Sequence, residues 1–253
     1  MALTGEGTGH WYTGDGQPCY KVSDASGNMR PTTLRDARKL NLYPSVTGIM
    51  RMAAAPPLEK WKQNKILEAA FVLPKRPADE LVEYIKRIRD QAELVAKEAP
   101  DTGSAIHAAI EQRLGGLEFD KTFTRHVEGA IEALEKWCGL GDIESEKSFA
   151  HYGGFGGKVD IHKDGFVVDF KSKEFTADKL PKVWDDHAMQ LAAYRVGLKM
   201  PTARCAIIYV SVTTPGLTHT IEIEQKDLWR GWEMFNALLT FWQIKNNYQP
   251  KIA

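Results

Sequence analysis

The sequence predicts an α/β protein: a mixed central sheet flanked by helices, with a helical extension at its N-terminal end. Three observations predict it. The second half of the chain orders as helix, three meandering strands, helix, strand, strand, helix, which asks for two helical layers on one sheet. The first hundred residues carry apolar side chains mainly at helical spacing. The chain has 253 residues, 43% hydrophobic and 26% charged, which is globular composition with length enough to bury a core.

The elements follow in order. His10 to Val22 is aromatic and broken by Gly14, Asp15 and Gly16, and it reads as a β-hairpin. Ser23 to Met29 is a polar loop. Thr33 caps a short helix through Leu40. Pro44 stops any preceding helix and Ser45 caps the next one, through Met52. Helices are expected over Leu58 to Val72 and Ala78 to Glu98, with Pro100 ending the second. Thr102 to Leu114 and Phe119 to Trp137 follow as helices. The texture then changes to strands at Ile143 to His151, Gly157 to His162 and Phe166 to Lys171. Gly153-Gly154 and Lys163-Asp164-Gly165 supply the turns. A helix is expected from Ala177 to Leu198, with Pro181 complicating its start. Strands at Ala203 to Val212 and Leu217 to Glu224 lead to a last helix, Lys226 to Asn246. Its Trp232, Phe235, Leu239 and Trp242 form a stripe that reads as core, and Trp229 is likewise assigned to packing.

Charge and cysteine content exclude several classes. Lys plus Arg and Asp plus Glu are both 33, so a strongly basic whole-body field is absent; a local basic groove or an acidic metal site stays open. Cys19, Cys138 and Cys205 make no CxxC pair, which argues against a cysteine zinc site, an iron–sulfur cluster and a disulfide framework. No run approaches the ~20 apolar residues of a membrane span. The first ten residues lack a basic start and an apolar run. A cytoplasmic protein, of a bacterium or a phage-infected cell, is the expectation.

The chemistry concentrates on two consecutive strands. Asp169 and Lys171 are two apart in Val167-Val168-Asp169-Phe170-Lys171, so they share a face. The turn at Asp164-Gly165 can fold Asp160 beside them. Two carboxylates and an ammonium then converge, and hard carboxylate oxygens suit Mg²⁺ or Mn²⁺. A solvated strand face is the competing reading. His107 and Glu111 stand at i, i+4 on a helix kept slim by Ala105, Ala108 and Ala109. They suit a metal ligand and its supporting partner, or a surface pair. Gln190 and Tyr194 repeat the i, i+4 spacing on the helix after the strands.

Taken in order, G-x-x-x-H-x-x-x-E (Gly103, His107, Glu111), G-x-x-D (Gly157, Asp160), D-x-K (Asp169, Lys171) and Q-x-x-x-Y (Gln190, Tyr194) resemble the RecB-like branch of the PD-(D/E)XK nucleases. Pro44-Ser45-Val46-Thr47 and Leu58 to Gln63 are similar to the corresponding region of phage-encoded exonucleases and of a mitochondrial genome maintenance exonuclease in the same branch. The resemblance implies a restriction-endonuclease-like core over 101–253. It implies a β-hairpin and helical DNA-guiding region over 1–100, packed on that core. His107, Asp160, Asp169 and the Phe170 carbonyl are implied as ligands of one or two Mg²⁺ or Mn²⁺ ions. Lys171 is implied as the catalytic lysine, with Glu111, Gln190 and Tyr194 supporting the site. The chain lacks the cysteines of the iron–sulfur members, so no cluster is expected. Gly156-Gly157-Lys158-Val159 lacks the Ser/Thr of a P-loop, so ATP use is not expected; Gly153 to Gly157 reads instead as a hairpin turn leaving room beside Asp160.

For DNA contacts, Ser45 and Thr47 at a helix N-terminus suit a phosphate or a plain cap. Trp61, Lys62 and Lys65, with Lys60, suit a single strand by stacking and charge, or a solvated face. The expectation is a metal-dependent DNA exonuclease, phage or prophage encoded and used in recombination or DNA processing. Its partner would be a DNA end, single- or double-stranded, with room for a recombination or single-strand-binding protein and none for a membrane. A flap or structure-specific endonuclease and a non-catalytic DNA-end binder are the alternatives.

Overall fold

The computed structural model of the protein describes residues 9–53, 56–77, 79–98 and 100–251. The chain runs β1 (Trp11–Tyr12), β2 (Lys21–Ser23), β3 (Met29–Pro31), α1 (Leu34–Leu40), β4 (Tyr43–Pro44) and α2 (Val46–Met50). Two longer helices follow, α3 (Pro56–Val72) and α4 (Leu81–Glu98), then α5 (Pro100–Leu114) and, after a 3-10 turn, α6 (Thr124–Cys138). The sheet is built from β5 (Glu144–His151), β6 (Phe155–Lys163), β7 (Phe166–Lys173), β8 (Arg204–Ser211) and β9 (Thr218–Ile223). Helix α7 (Asp185–Gly197) links β7 to β8, and α8 (Gln225–Asn246) closes the chain. Among the described residues, no helix is long and apolar enough to cross a membrane.

The five strands lie in the order β5-β6-β7-β8-β9. Only β7 and β8 are parallel, because α7 carries the chain back over the sheet between them. Each face has its own core. On one, Ile106, Ile110, Val127 and Leu134 from α5 and α6 cover Val168, Phe170 and Ile208. On the other, Leu191 and Ala192 of α7 and Phe235 and Leu239 of α8 cover Val167 and Ile207, joined by Val46 and Ile49 of α2. The expected mixed sheet between two helical layers is therefore present.

Four expectations need correction. Trp229, assigned to packing, lies exposed on α8 at 62%. The hairpin over His10 to Val22 forms only in part. Cys19 N donates to Trp11 O at 2.7 Å, but β1 pairs with β4 and β2 pairs with β3. Pro18 has no N–H with which to continue the first ladder. The helix expected from Ala177 starts eight residues later, at Asp185. Pro181 disfavours helix at the preceding residue, and side chains from β8 hold the segment open: Ser211 Oγ donates to Phe175 O at 2.6 Å and Tyr209 OH to Lys182 O at 2.9 Å. β6 begins at Phe155, so Phe155 and Gly156 are strand rather than turn, and Gly157 lies in the strand, as the expected strand from Gly157 to His162 requires, rather than in the turn. Pro100 begins α5 as well as separating it from α4; a proline fits the first helical turn, where no N–H is needed. Residues 1–8 and Ala78, which carry part of the sequence reading, lie outside the described residues.

Candidate active site

The site grows from an irregularity in β6. Its ladder with β7 stops at Ile161 opposite Val168. Its ladder with β5 skips Asp160 and Glu146, and Glu146 sits at φ 58°. Val159 packs into the α7–α8 core while Ile161 packs into the α5–α6 core. Side chains two apart share a face in a regular strand, so β6 turns over at Asp160. Beyond that point β6 and β7 part. The N–H and C=O of one strand residue point to the same edge, so Phe170 presents both into the gap. Asp160 Oδ2 accepts the Phe170 N–H at 2.8 Å. The Phe170 carbonyl lies 2.6 Å from His107 Nε2 of α5, and His107 Nδ1 lies 4.0 Å from Asp160 Oδ2.

On the α7 side of β7 a second set interlocks. Lys171 Nζ is 2.7 Å from Asp169 Oδ2 and donates to Gln190 Oε1 at 3.1 Å. Gln190 Nε2 donates to Asp169 Oδ1 at 2.9 Å and to Tyr194 OH at 3.0 Å. One amide thus ties the carboxylate, the ammonium and the phenol together, which the i, i+4 spacing of Gln190 and Tyr194 on one helix permits. Burial works against the Lys171 ammonium, but Asp169 and then Asp160 outweigh it and hold its pKa above the ordinary value. Burial and then the Asp169 charge raise Asp160 to about 6. Tyr194 is raised by burial and then by Asp169, so it stays a neutral phenol.

As the side chains stand, no group of three His, Cys, Asp or Glu among the described residues is close enough together to hold a metal ion. The donor chemistry suits one nonetheless. Asp169 Oδ2 is buried without a hydrogen bond of good geometry, the Asp160 carboxyl is raised by burial and then by its carboxylate neighbour, and a backbone carbonyl faces the same gap. A divalent cation relieves that like-charge strain, and the oxygen-rich set fits Mg²⁺ or Mn²⁺. Glu111 does not join the cluster: its side chain is exposed and makes no hydrogen bond or ion pair among the described residues, while its carbonyl accepts the Gly115 N–H at 2.9 Å.

The proposed DNA contacts are placed differently. The Ser45 hydroxyl accepts Gly48 N–H at 3.0 Å as the cap of the five-residue α2, so its oxygen is already engaged. Ser45 and Thr47 line a cavity of about 310 Å³ together with His10, Tyr12, Tyr20, Lys158 and Tyr194. On α3, Lys62 pairs with Glu59 and Lys65 with Glu68, and Lys65 lies over the Trp61 ring. No hydrogen bond or ion pair joins these three to the carboxylate cluster.

Comparison with known proteins adds little. No family model matches the chain, and no curated protein does. A crystal structure named "Putative exonuclease" from Eubacterium rectale superposes with a TM-score of 0.44 at 15% identity, over 58% of this chain and 68% of that one. The structure of SSO0001 gives 0.32 at 16% identity, over 72% and 86%. Likenesses of this size decide neither fold nor activity.

Three neighbours of the cluster, His187, Tyr209 and Lys158, carry no signal at motif spacing. His187 opens α7 one turn before Gln190, where its Nδ1 accepts Trp184 N–H at 3.2 Å. The Tyr209 hydroxyl stands 3.2 Å from the same nitrogen. Lys158 pairs with Glu146 across the irregular stretch of β5 and β6. Only the register of β8 against β7, with Tyr209 opposite Lys171, brings the tyrosine here.

Proposed function

We propose that the protein is a divalent-metal-dependent DNA exonuclease of the RecB-like PD-(D/E)XK type. The observation that carries this reading is the β6–β7 gap, where Asp160, the Phe170 carbonyl and His107 meet, with Asp169 and Lys171 on the adjoining α7 face of β7. His107, Asp160, Asp169 and the Phe170 carbonyl would hold the ion. A bound Mg²⁺ or Mn²⁺ would polarise the phosphodiester and make water a competent nucleophile. Lys171, kept charged by Asp169 and oriented by Gln190, places an ammonium where negative charge grows on the phosphoryl oxygens. Asp160 is fixed by the Phe170 N–H, and Tyr194 fixes Gln190 from behind. Ser45, Thr47, Trp61, Lys62 and Lys65 are the proposed DNA contacts. A phage or prophage role in recombination or DNA processing fits this chemistry.

The test is cleavage of end-labelled linear DNA and of closed circular single strands, with Mg²⁺, Mn²⁺ or EDTA. Metal-dependent loss of linear DNA with intact circles is expected. Lys171→Met should lower the rate by at least about 100-fold; it also leaves the buried Asp169 carboxylate unpaired and should lower the melting temperature, so the rate is read below the variant's own melting transition. Cut circles would make the protein an endonuclease, and wild-type rates in Lys171→Met would remove this site from the reaction.

A further inference from the structure

Beside the β6–β7 gap lies the cavity of about 310 Å³, a size that takes a small organic ligand. Four rings line it: His10, Tyr12, Tyr20 and Tyr194. His10 stacks on Tyr20 with centroids 4.3 Å apart and planes at 22°. Tyr12 meets Tyr20 edge-on, with their hydroxyls 2.9 Å apart. Two glycines of β6 let this wall form. A Cβ on Gly156 would stand 2.8 Å from the Tyr12 ring, and one on Gly157 would stand 3.0 Å from the Tyr194 ring. We propose that this cavity is a nucleobase subsite, which takes one unpaired nucleoside of the strand cut at the adjoining gap.

The proposal rests on the nuclease reading and names its substrate more closely. Two lining residues link the cavity to the reaction site. Tyr194 lines it and is bonded to Gln190, which bonds Asp169. Lys158 lines it and precedes Asp160 by two residues, about 7 Å of strand. Its chemistry favours a neutral heterocycle over a bare anion. The Lys158 ammonium is paired with Glu146 and the Ser45 oxygen already accepts Gly48 N–H. Burial, and then the charges of Arg51 and Lys158, hold the His10 imidazole below its ordinary pKa, so near neutral pH it is an uncharged ring. Stacking on such rings serves every base, because every base has a π-face. A base inside a duplex is paired and stacked on its neighbours, so it must leave the helix to enter. The strand must therefore arrive single or be opened at its end.

The experiment titrates metal-free protein in EDTA with deoxynucleoside 5′-monophosphates, deoxyribose 5-phosphate and inorganic phosphate, by calorimetry and by the NMR signals of the His10 ring. No diester is present, so binding is read apart from cleavage. The expected result is mononucleotide binding with ring-current shifts at His10, and at least tenfold weaker binding of both base-free probes. His10→Ala and Tyr20→Leu should weaken mononucleotide binding at least tenfold. Tyr20→Phe, which keeps the ring, should retain it, and melting curves check that each variant folds. Equal affinity for inorganic phosphate would overturn the proposal, as would wild-type binding by His10→Ala and Tyr20→Leu together, or no binding up to millimolar concentration. Linear DNA cut by a protein that binds no mononucleotide leaves the nuclease reading and removes the subsite. Ring-dependent mononucleotide binding with no cleavage of any DNA does the reverse.

Discussion

Asp160 is where stability and function pull apart. Its carboxylate is raised to about 6 by burial and then by Asp169. A carboxyl raised in the folded state binds a proton there that the unfolded chain has already released. It therefore destabilises the fold fully above pH 6, and the penalty fades as pH falls from 6 towards 4. With a fifth of the side chain still exposed, the penalty belongs at the lower end of about 1–3 kcal/mol. Asp160→Asn keeps an oxygen for the Phe170 N–H and removes the charge. In EDTA at pH 7.5 this variant should melt higher than the wild type, by roughly 2–4 °C per kcal/mol, and the gain should disappear near pH 4. In Mg²⁺ it should cut no DNA. A lower melting temperature in EDTA at pH 7.5 would show that the carboxylate is not strained against its neighbour.

At the scale of elements, α1 shows how a short helix is fixed. Thr33 caps it, Thr33 N donates to Asp36 Oδ2 at 3.0 Å, and Arg30 grips the same carboxylate at 2.6 and 2.8 Å. The Tyr248 hydroxyl, from beyond α8, reaches the Ala37 and Leu42 carbonyls. Asp36→Ala should lower stability by about 1–2 kcal/mol, through the lost Arg30 hydrogen bonds, discounted because Arg30 is half-exposed, and the lost bond to Thr33 N–H at the cap. The Arg30 hydrogen bonds, helped by Thr33, hold the Asp36 carboxyl well below the usual range. Its contribution is thus complete above about pH 4 and is lost as pH falls towards the lowered value. The gap between wild type and Asp36→Ala in urea melts should stay constant from pH 7 to about pH 4 and narrow only below; a gap that closes between pH 7 and 5 would assign the stabilisation to another group. Elements like this were legible because their signals are local: Thr33 and Ser45 sit at the caps the sequence marks. The motif residues were legible for the same reason, Gln190 and Tyr194 by helical spacing and Asp169 and Lys171 by strand spacing. The turning-over of β6 at Asp160 was not. It depends on two registers at once, with β5 and with β7, and no spacing within β6 encodes either. The late start of α7 was missed because Ser211 and Tyr209, which hold the preceding segment open, lie about thirty residues downstream.

Across the whole molecule, stability is unevenly spread. The sheet is covered on both faces, and β7 and β8 bury Val167, Val168, Phe170, Cys205, Ala206, Ile207 and Ile208 almost completely. Helices α1 and α2 share in that core, through Ala37, Val46 and Ile49. Helices α3 and α4 do not. They pack on each other over Ala69, Ile88 and Ala92, with Ala70 and Tyr84 against them. Leu67, Phe71, Val72, Leu81 and Val82 are exposed, Phe71 at 94%. Helices in proteins draw most of their stability from tertiary packing of an apolar face. Among the described residues, the three buried side chains Ala69, Ile88 and Ala92 supply little of it. The pair should therefore open without the sheet, as a separate cooperative unit. In native-state hydrogen exchange, the amides of α3 and α4 should be at least about 100-fold less protected than those of β7 and β8, roughly 2.8 kcal/mol of opening free energy. Added single-stranded DNA should raise their protection if Trp61, Lys62 and Lys65 hold the strand, and leave it unchanged if those side chains serve only their own helix. Protection equal to that of β7 without DNA would mean that the exposed apolar side chains of α3 and α4 are covered in solution, by a second copy of the chain, and a molecular mass twice that of the monomer would then be found.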